Sequence, residues 1–177
     1  MPSTQFSAAI RFGRPADRQT ASGITGSLNV DETIRVLLVE GHDVAREALA
    51  RYLAQEDDFI VLEPCRHADS AVRAAEQLQP TVVLLGLSVE GRDTFELAGA
   101  IQSACPDAGI IFLGPEAGDP LLAQVLAAKA RGYVVKPSAV ARLPIAIRAV
   151  AAGGVYFSEE VRQRLIIHRN GVRLARP

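Results

Sequence analysis

The 177-residue sequence has no tryptophan, and aromatic residues make up only 5% of it. It has two cysteines, Cys65 and Cys105, far apart and without metal-ligand spacing. Reduced, buried thiols of a cytoplasmic protein are the expectation. No run approaches the roughly 18 apolar residues that a membrane span needs. The N-terminus lacks the continuous apolar segment of a signal peptide. Net charge is −1, which removes any global electrostatic reason to expect nucleic acid or an anionic membrane. No GxxxxGK[ST] phosphate loop occurs. The stretch Gly114-Pro115-Glu116-Ala117-Gly118-Asp119 is glycine-rich but acidic, which suits phosphate poorly. Nothing beside Cys65 resembles a catalytic triad. His67 and His168 lie in different regions and suggest no shared metal site.

Apolar residues make up 49% of the chain, enough to bury a sizeable core in one ordinary domain with extensions. Residues 1–33 show no clear hydrophobic period and read as a disordered N-terminal extension. A nucleic-acid arm is the alternative reading, on Arg11, Arg14 and Arg18. From Ile34 the pattern changes. Strands are expected at 34–39, 59–62, 81–85, 109–113 and 133–135, and helices at 44–53, 68–79, 95–105, 120–130 and 143–152. His42 or Asp43 is placed to open the first helix, and Asp119 to cap the fourth. Pro144 would cost about 3 kcal/mol inside a regular helix, so the fifth helix is expected to start near Arg142–Leu143 with Pro144 in its first turn. Residues 158–167 read as a further short helix, and the arginines of the C-terminal segment, Arg164, Arg169, Arg173 and Arg176, make it basic, as a linker or a DNA contact would be.

Five βα units in succession predict an α/β fold: a doubly wound five-stranded parallel sheet, flavodoxin-like, in the order 2-1-3-4-5. Its central strand is Thr81-Val82-Val83-Leu84-Leu85, apolar throughout and bounded by Pro80 and Gly86. In such sheets chemistry sits just past the carboxyl ends of the strands. Here that rim carries Glu40, Gly41, Gly86 and Lys136, and Gly86 has no side chain.

These rim residues, with the segments around them, resemble the receiver domain of bacterial two-component response regulators, closest to the NarL/LuxR-like subfamily, over residues 34–154. The match rests on Ile34-Arg35-Val36-Leu37-Leu38-Val39-Glu40-Gly41-His42, on Val82-Val83-Leu84-Leu85-Gly86-Leu87-Ser88, on Gly132-Tyr133-Val134-Val135-Lys136-Pro137 and on the segment 146–156. The resemblance implies that the phospho-acceptor aspartate falls on Gly86, the second metal-binding acid on Gly41 and the switch Ser/Thr on Gly114. Glu40 keeps the first acid, Lys136 the lysine and Tyr133 the switch aromatic. It also implies a cis bond between Lys136 and Pro137, and a DNA-binding domain beyond residues 155–177 in complete members of the subfamily.

The departures carry the functional reading. Glycine offers no carboxylate nucleophile, and Glu40 alone is a poor site for Mg²⁺, which is octahedral and reluctant to dehydrate. No cofactor is expected, with Mg²⁺ binding weak or absent. Glu40 is expected to pair with Lys136 rather than to hold a cation. Ser88 is not expected to replace the acceptor. The chain therefore reads as a pseudo-receiver, not an enzyme: a cytoplasmic signalling module binding a protein partner or itself. The surface expected for this is the face of the fourth helix, fifth strand and fifth helix, with Leu122, Gln124, Val125, Ala128 and Ala139. The alternative is the receiver part of a NarL/LuxR-like transcription regulator, with DNA as partner only through a downstream domain. A third reading is an active acceptor using an unusual residue. Restoring aspartate at both 86 and 41 is expected to create Mg²⁺ binding.

Overall fold

The computed structural model describes residues 9–11, 33–136, 140–168 and 171–175. In chain order its elements are β1 (Ala9–Arg11), β2 (Ile34–Val39), α1 (Asp43–Leu53), β3 (Phe59–Val61), α2 (Ala68–Leu78), β4 (Val82–Gly86), α3 (Thr94–Ala104), β5 (Gly109–Gly114), α4 (Asp119–Ala127), β6 (Gly132–Val135), α5 (Leu143–Ala151), β7 (Tyr156–Phe157), α6 (Glu159–Arg162), β8 (Leu165–His168) and β9 (Gly171–Leu174). A 3₁₀ turn at Val140–Arg142 leads into α5. Among the described residues no helix is long and apolar enough to cross a membrane.

The main sheet has the order β3-β2-β4-β5-β6-β7, parallel throughout. Its first five strands follow the predicted order. The sixth, β7, has only two residues, too few to leave a sequence period. Period-two alternation splits each buried strand between two cores. Leu37, Val39, Val83, Leu85, Ile110 and Phe112 face α2, α3 and α4. Val36, Leu38, Val82, Leu84, Ile111 and Leu113 face α1 and α5. Each such side chain contributes about 1.5–3 kcal/mol on burial, so the centre of the sheet is where the fold is held.

Several boundaries differ from expectation for local reasons. Gly118, not Asp119, is the N-cap of α4 and makes no side-chain cap bond. Asp119 instead pairs with Arg164 at 2.9 Å. The expected fourth helix stops at Ala127, and Lys129 turns the chain with φ 55. His42 is the N-cap of α1, again with no side-chain cap bond. Helix α5 begins at Leu143 and keeps Pro144 in its first turn, as its fixed φ and missing N–H require. Both cysteines are free and buried. Pro137 and Ala139 lie outside the described residues, and with them the expected cis bond.

The C-terminal segment is the main correction. The helix expected over 158–167 is only the four-residue α6, after which the chain forms the hairpin β8–β9. Leu165-Ile166-Ile167 is a strand-forming run, a signal that the helical reading passed over. The N-terminal extension is not wholly without structure either. Its residues 9–11 form β1 and pair antiparallel with β9, Ile10 opposite Val172. The rest of the extension lies outside the described residues.

This small sheet, β1-β9-β8, packs on α4. Val161, Leu165 and Val172 are buried in one cluster with Leu122 and Val125, both of which have 0% exposure. The face proposed from sequence for association is thus covered by the chain's own hairpin. Leu122 and Val125 pack inward, Ala128 is half-exposed and Gln124 is exposed. Helical periodicity alone cannot say which neighbour an apolar stripe meets.

Candidate functional site

Parallel register brings the rim residues together. Gly86 lies opposite Leu113, and Gly114 opposite Val135. Glu40 follows β2, and Lys136 follows β6. Glu40 is fully buried. Lys136 Nζ donates to its Oε2 at 2.5 Å. His42 approaches its Oε1 twice, donating from its backbone N–H at 3.1 Å and lying 2.9 Å away at Nδ1. The expected Glu40–Lys136 pair is present, and His42 joins it. Burial pushes the Glu40 carboxyl up, but the hydrogen bonds from Lys136 and His42 outweigh this and hold it below the usual glutamate range.

The three rim glycines differ in what surrounds them. A Cβ on Gly86 would stand 2.5 Å from Glu40 Oε2, so the carboxylate fills the space beside that residue. A Cβ on Gly41 would run into the backbone carbonyl of Ser88. A Cβ on Gly114 would meet the Tyr133 hydroxyl and lie 2.5 Å from Leu87 Cδ1. Tyr133 is fully buried, and its hydroxyl donates to the Pro115 carbonyl at 2.7 Å. Burial pushes its pKa up to about 12.

Gly114 is therefore the residue that lets Tyr133 lie inward. Gly114→Ala is expected to displace the ring and cost about 1–3 kcal/mol, the usual range for overpacking. Near-ultraviolet circular dichroism reads the tyrosine environment, and urea melts read the stability. An unchanged spectrum with an unchanged melt would show that the ring is held by something else.

A depression of about 300 Å³ opens beside these residues, lined by His42, Leu87, Ser88, Gly114, Pro115 and Lys136 among others. The loops after β2, β3 and β4 share an ion network that sequence reasoning missed. Arg66 reaches Glu90 at 2.8 Å and Asp43 at 3.4 Å, and Arg46 holds Asp43 at 2.6 Å. The Ala68 N–H donates to the Glu90 carbonyl at 3.0 Å, tying the loop after β3 to the loop after β4. More than twenty positions separate Arg66 from either acid, so only the topology juxtaposes them. Among the described residues no group of three or more His, Cys, Asp or Glu could hold a metal ion.

The fold and the rim define a class. A family model described as the response regulator receiver domain matches residues 36–148, and the chain belongs to that family. It is 31% identical over 134 residues to the response regulator GacA of Pseudomonas viridiflava, which covers 76% of this chain and 63% of that protein. It is 35% identical over 120 residues to the transcriptional regulatory protein LiaR of Bacillus subtilis, covering 68% of this chain and 57% of that one. A crystal structure of a LuxR-family two-component response regulator from Aurantimonas sp. SI85-9A1 superposes with a TM-score of 0.69 at 28% identity, covering 74% of this chain and 94% of that one. The chain thus spans about three-fifths of the length of these curated relatives.

Proposed function

We propose that this chain is a pseudo-receiver: a two-component signalling module, not an enzyme, that acts in the cytoplasm through protein contacts and without phosphoryl transfer at its rim. The observation that carries this reading is the Glu40–Lys136 pair lying against Gly86. The place where an acceptor carboxylate would project holds a carboxylate already neutralised by its own lysine. The donor set does not fit Mg²⁺. Both oxygens of Glu40 are engaged by Lys136 and His42, and the Cβ direction of Gly41 is closed by backbone. An octahedral cation that gives up water reluctantly needs more than one occupied carboxylate.

The test is treatment with acetyl phosphate and Mg²⁺, followed by intact mass. No stable adduct of about 80 Da, the mass of one phosphoryl group, is expected. Millimolar Mg²⁺ is likewise expected to leave the melting temperature unchanged, because a ligand binding only the native state must raise it. An adduct, or a Mg²⁺-dependent rise, would overturn the reading.

A second reading rests on the relatives. One is named a transcriptional regulatory protein, and this chain matches 57% of its length. The same module would then be the receiver part of a transcription regulator, with DNA contacted by another domain.

A further inference from the structure

With α4 covered by the hairpin, the small sheet itself faces outward. Among the exposed large apolar side chains of the described residues, Ile60 on β3 and Ile167 on β8 lie on strands, and both strands are sheet edges. An open edge presents unpaired backbone groups to any other strand, and charge is the common guard against this. Edge β3 is guarded: Asp57 and Asp58 precede it, and Arg148 is tied to Asp58 and Glu56 there at 2.6 Å. Edge β8 is not: Leu165-Ile166-Ile167 carries no charge and no proline, and Ile167 is 41% exposed. The ladder shows which groups are free. The Ala175 N–H donates to the Arg164 carbonyl at 2.8 Å, one step beyond the Leu165–Leu174 pair. Hydrogen-bonded pairs alternate along an antiparallel ladder. Ile166 therefore bonds to Arg173, while the N–H and C=O groups of Leu165 and Ile167 point away from β9, toward the open edge.

We propose that the open edge of β8 pairs with a second copy of this chain, antiparallel and about a two-fold axis through Ile166. An isologous interface needs one patch to serve both sides, and this strand does so, because its free groups lie symmetrically about Ile166. Leu165 of each copy stands opposite Ile167 of the other. The two exchange N–H···O=C bonds through the groups that β9 leaves free. Ile166 meets its own copy on the axis, and the two small sheets become one, in the order β1-β9-β8-β8-β9-β1. Ile167 lies opposite the buried Val172, on the face of the sheet turned to α4. In the dimer it leaves solvent beside Leu165 of the second copy. Outside this apolar centre Arg164 faces His168 of the second copy. Arg164 is already held by Asp119 at 2.9 Å, so no bare cation opposes the imidazole. A strand of unrelated sequence would meet the same hydrogen bonds but not this match of side chains.

This gives the interaction module its partner, and rests on the pseudo-receiver reading for its biological role only. A phosphoryl adduct would remove that reading and leave the dimer; a monomer would remove the dimer and leave that reading. The experiment is sedimentation of the full chain across a concentration series up to about 100 µM, with no phosphodonor. Wild type is expected to dimerise. Ile167→Pro removes an N–H that points away from β9, so the hairpin keeps its own bonds. It is expected to keep the wild-type melting temperature and to weaken the dimer at least tenfold. Ile167→Lys, which puts a charge on the open edge, is expected to do the same. Ile166→Cys is expected to cross-link two copies when oxidised dithiothreitol is added. Antiparallel partners that share no hydrogen bond stand about 4.5 Å apart at Cα, within disulfide range. Both native cysteines are buried, and Ile60→Cys on the guarded edge gives the background rate. A wild-type monomer throughout the series overturns the proposal and leaves the edge to a strand from another protein. So does a dimer that both Ile167 variants leave intact, or an Ile166→Cys protein that cross-links no faster than Ile60→Cys.

Discussion

Lys136→Met is expected to destabilise the fold by about 2–3 kcal/mol at neutral pH. Removing one partner of a buried ion pair costs about 3–5 kcal/mol, because the other charge stays buried without compensation. Here the loss falls below that range. The lysine side chain is 34% exposed, so solvent already screens part of the attraction. Glu40 is the member that cannot escape, with its side chain 1% exposed. Without Lys136 it keeps only the bonds from His42. Glu40→Gln leaves the ammonium instead, which can turn toward water, and is expected to cost only about 1 kcal/mol. Urea melts of both variants check this order. A lysine variant no worse than the glutamine variant would place the burden on the wrong partner.

The pH dependence gives the same prediction a sign. In the wild type the Glu40 carboxyl is held low. Its contribution is therefore present above the unfolded glutamate value of about 4.3 and is lost as pH falls through the lower folded value. In Lys136→Met, burial, the largest influence on the group, is opposed only by the His42 bonds, and the folded value is expected to rise above the unfolded one. The penalty is then full above the raised value and shrinks as pH falls toward the unfolded one. The stability gap between variant and wild type is expected to be wide at pH 7 and narrower at about pH 5. A gap independent of pH would mean that Glu40 does not titrate in this window.

The sheet was legible because its strands are buried on both faces, and continuous apolar runs such as Val82-Val83-Leu84-Leu85 need no partner to be recognised. The rim was legible for the same reason: consecutive parallel strands deliver their end residues to one edge, so Glu40 and Lys136 had to meet. What sequence could not give was contact between distant segments of weak period. Residues 9–11 become a strand only because β9 offers an edge. Leu122 and Val125 form an apolar stripe that would serve equally as an interface or a core, and the hairpin decides it. The ion network of Arg66 with Asp43 and Glu90 depends on loop placement alone. The size of the rim glycines was plain, but not their differing need to be glycine. Gly86 faces the end of a side chain, Gly114 a phenol and Gly41 a backbone carbonyl.

That difference revises the expectation that aspartates at 86 and 41 together would create a cation site. Gly41→Ala is expected to cost about 3 kcal/mol, the upper part of the range for overpacking, because the Ser88 carbonyl cannot rotate aside as a side chain can. In a chain of this length each 1 kcal/mol lowers the melting temperature by roughly 2–4 °C, so a fall of about 6–12 °C is expected. Gly41→Asp is expected to be worse, and the double variant to lose its fold before any metal can repay the strain. Gly86→Asp alone behaves differently. Its Cβ meets the Glu40 carboxylate first, Oε2 lying 2.5 Å away, and the end of a side chain can shift where a backbone carbonyl cannot. Two carboxylates then share one small space, the arrangement that a divalent cation relieves. Mg²⁺ is expected to raise the melting temperature of Gly86→Asp while leaving wild type and Gly41→Ala where they were. Thermal melts of the three proteins with and without millimolar Mg²⁺ decide it. A Gly41→Ala protein as stable as wild type would show that the loop carrying Ser88 yields easily, and the aspartate pair would again become the better design.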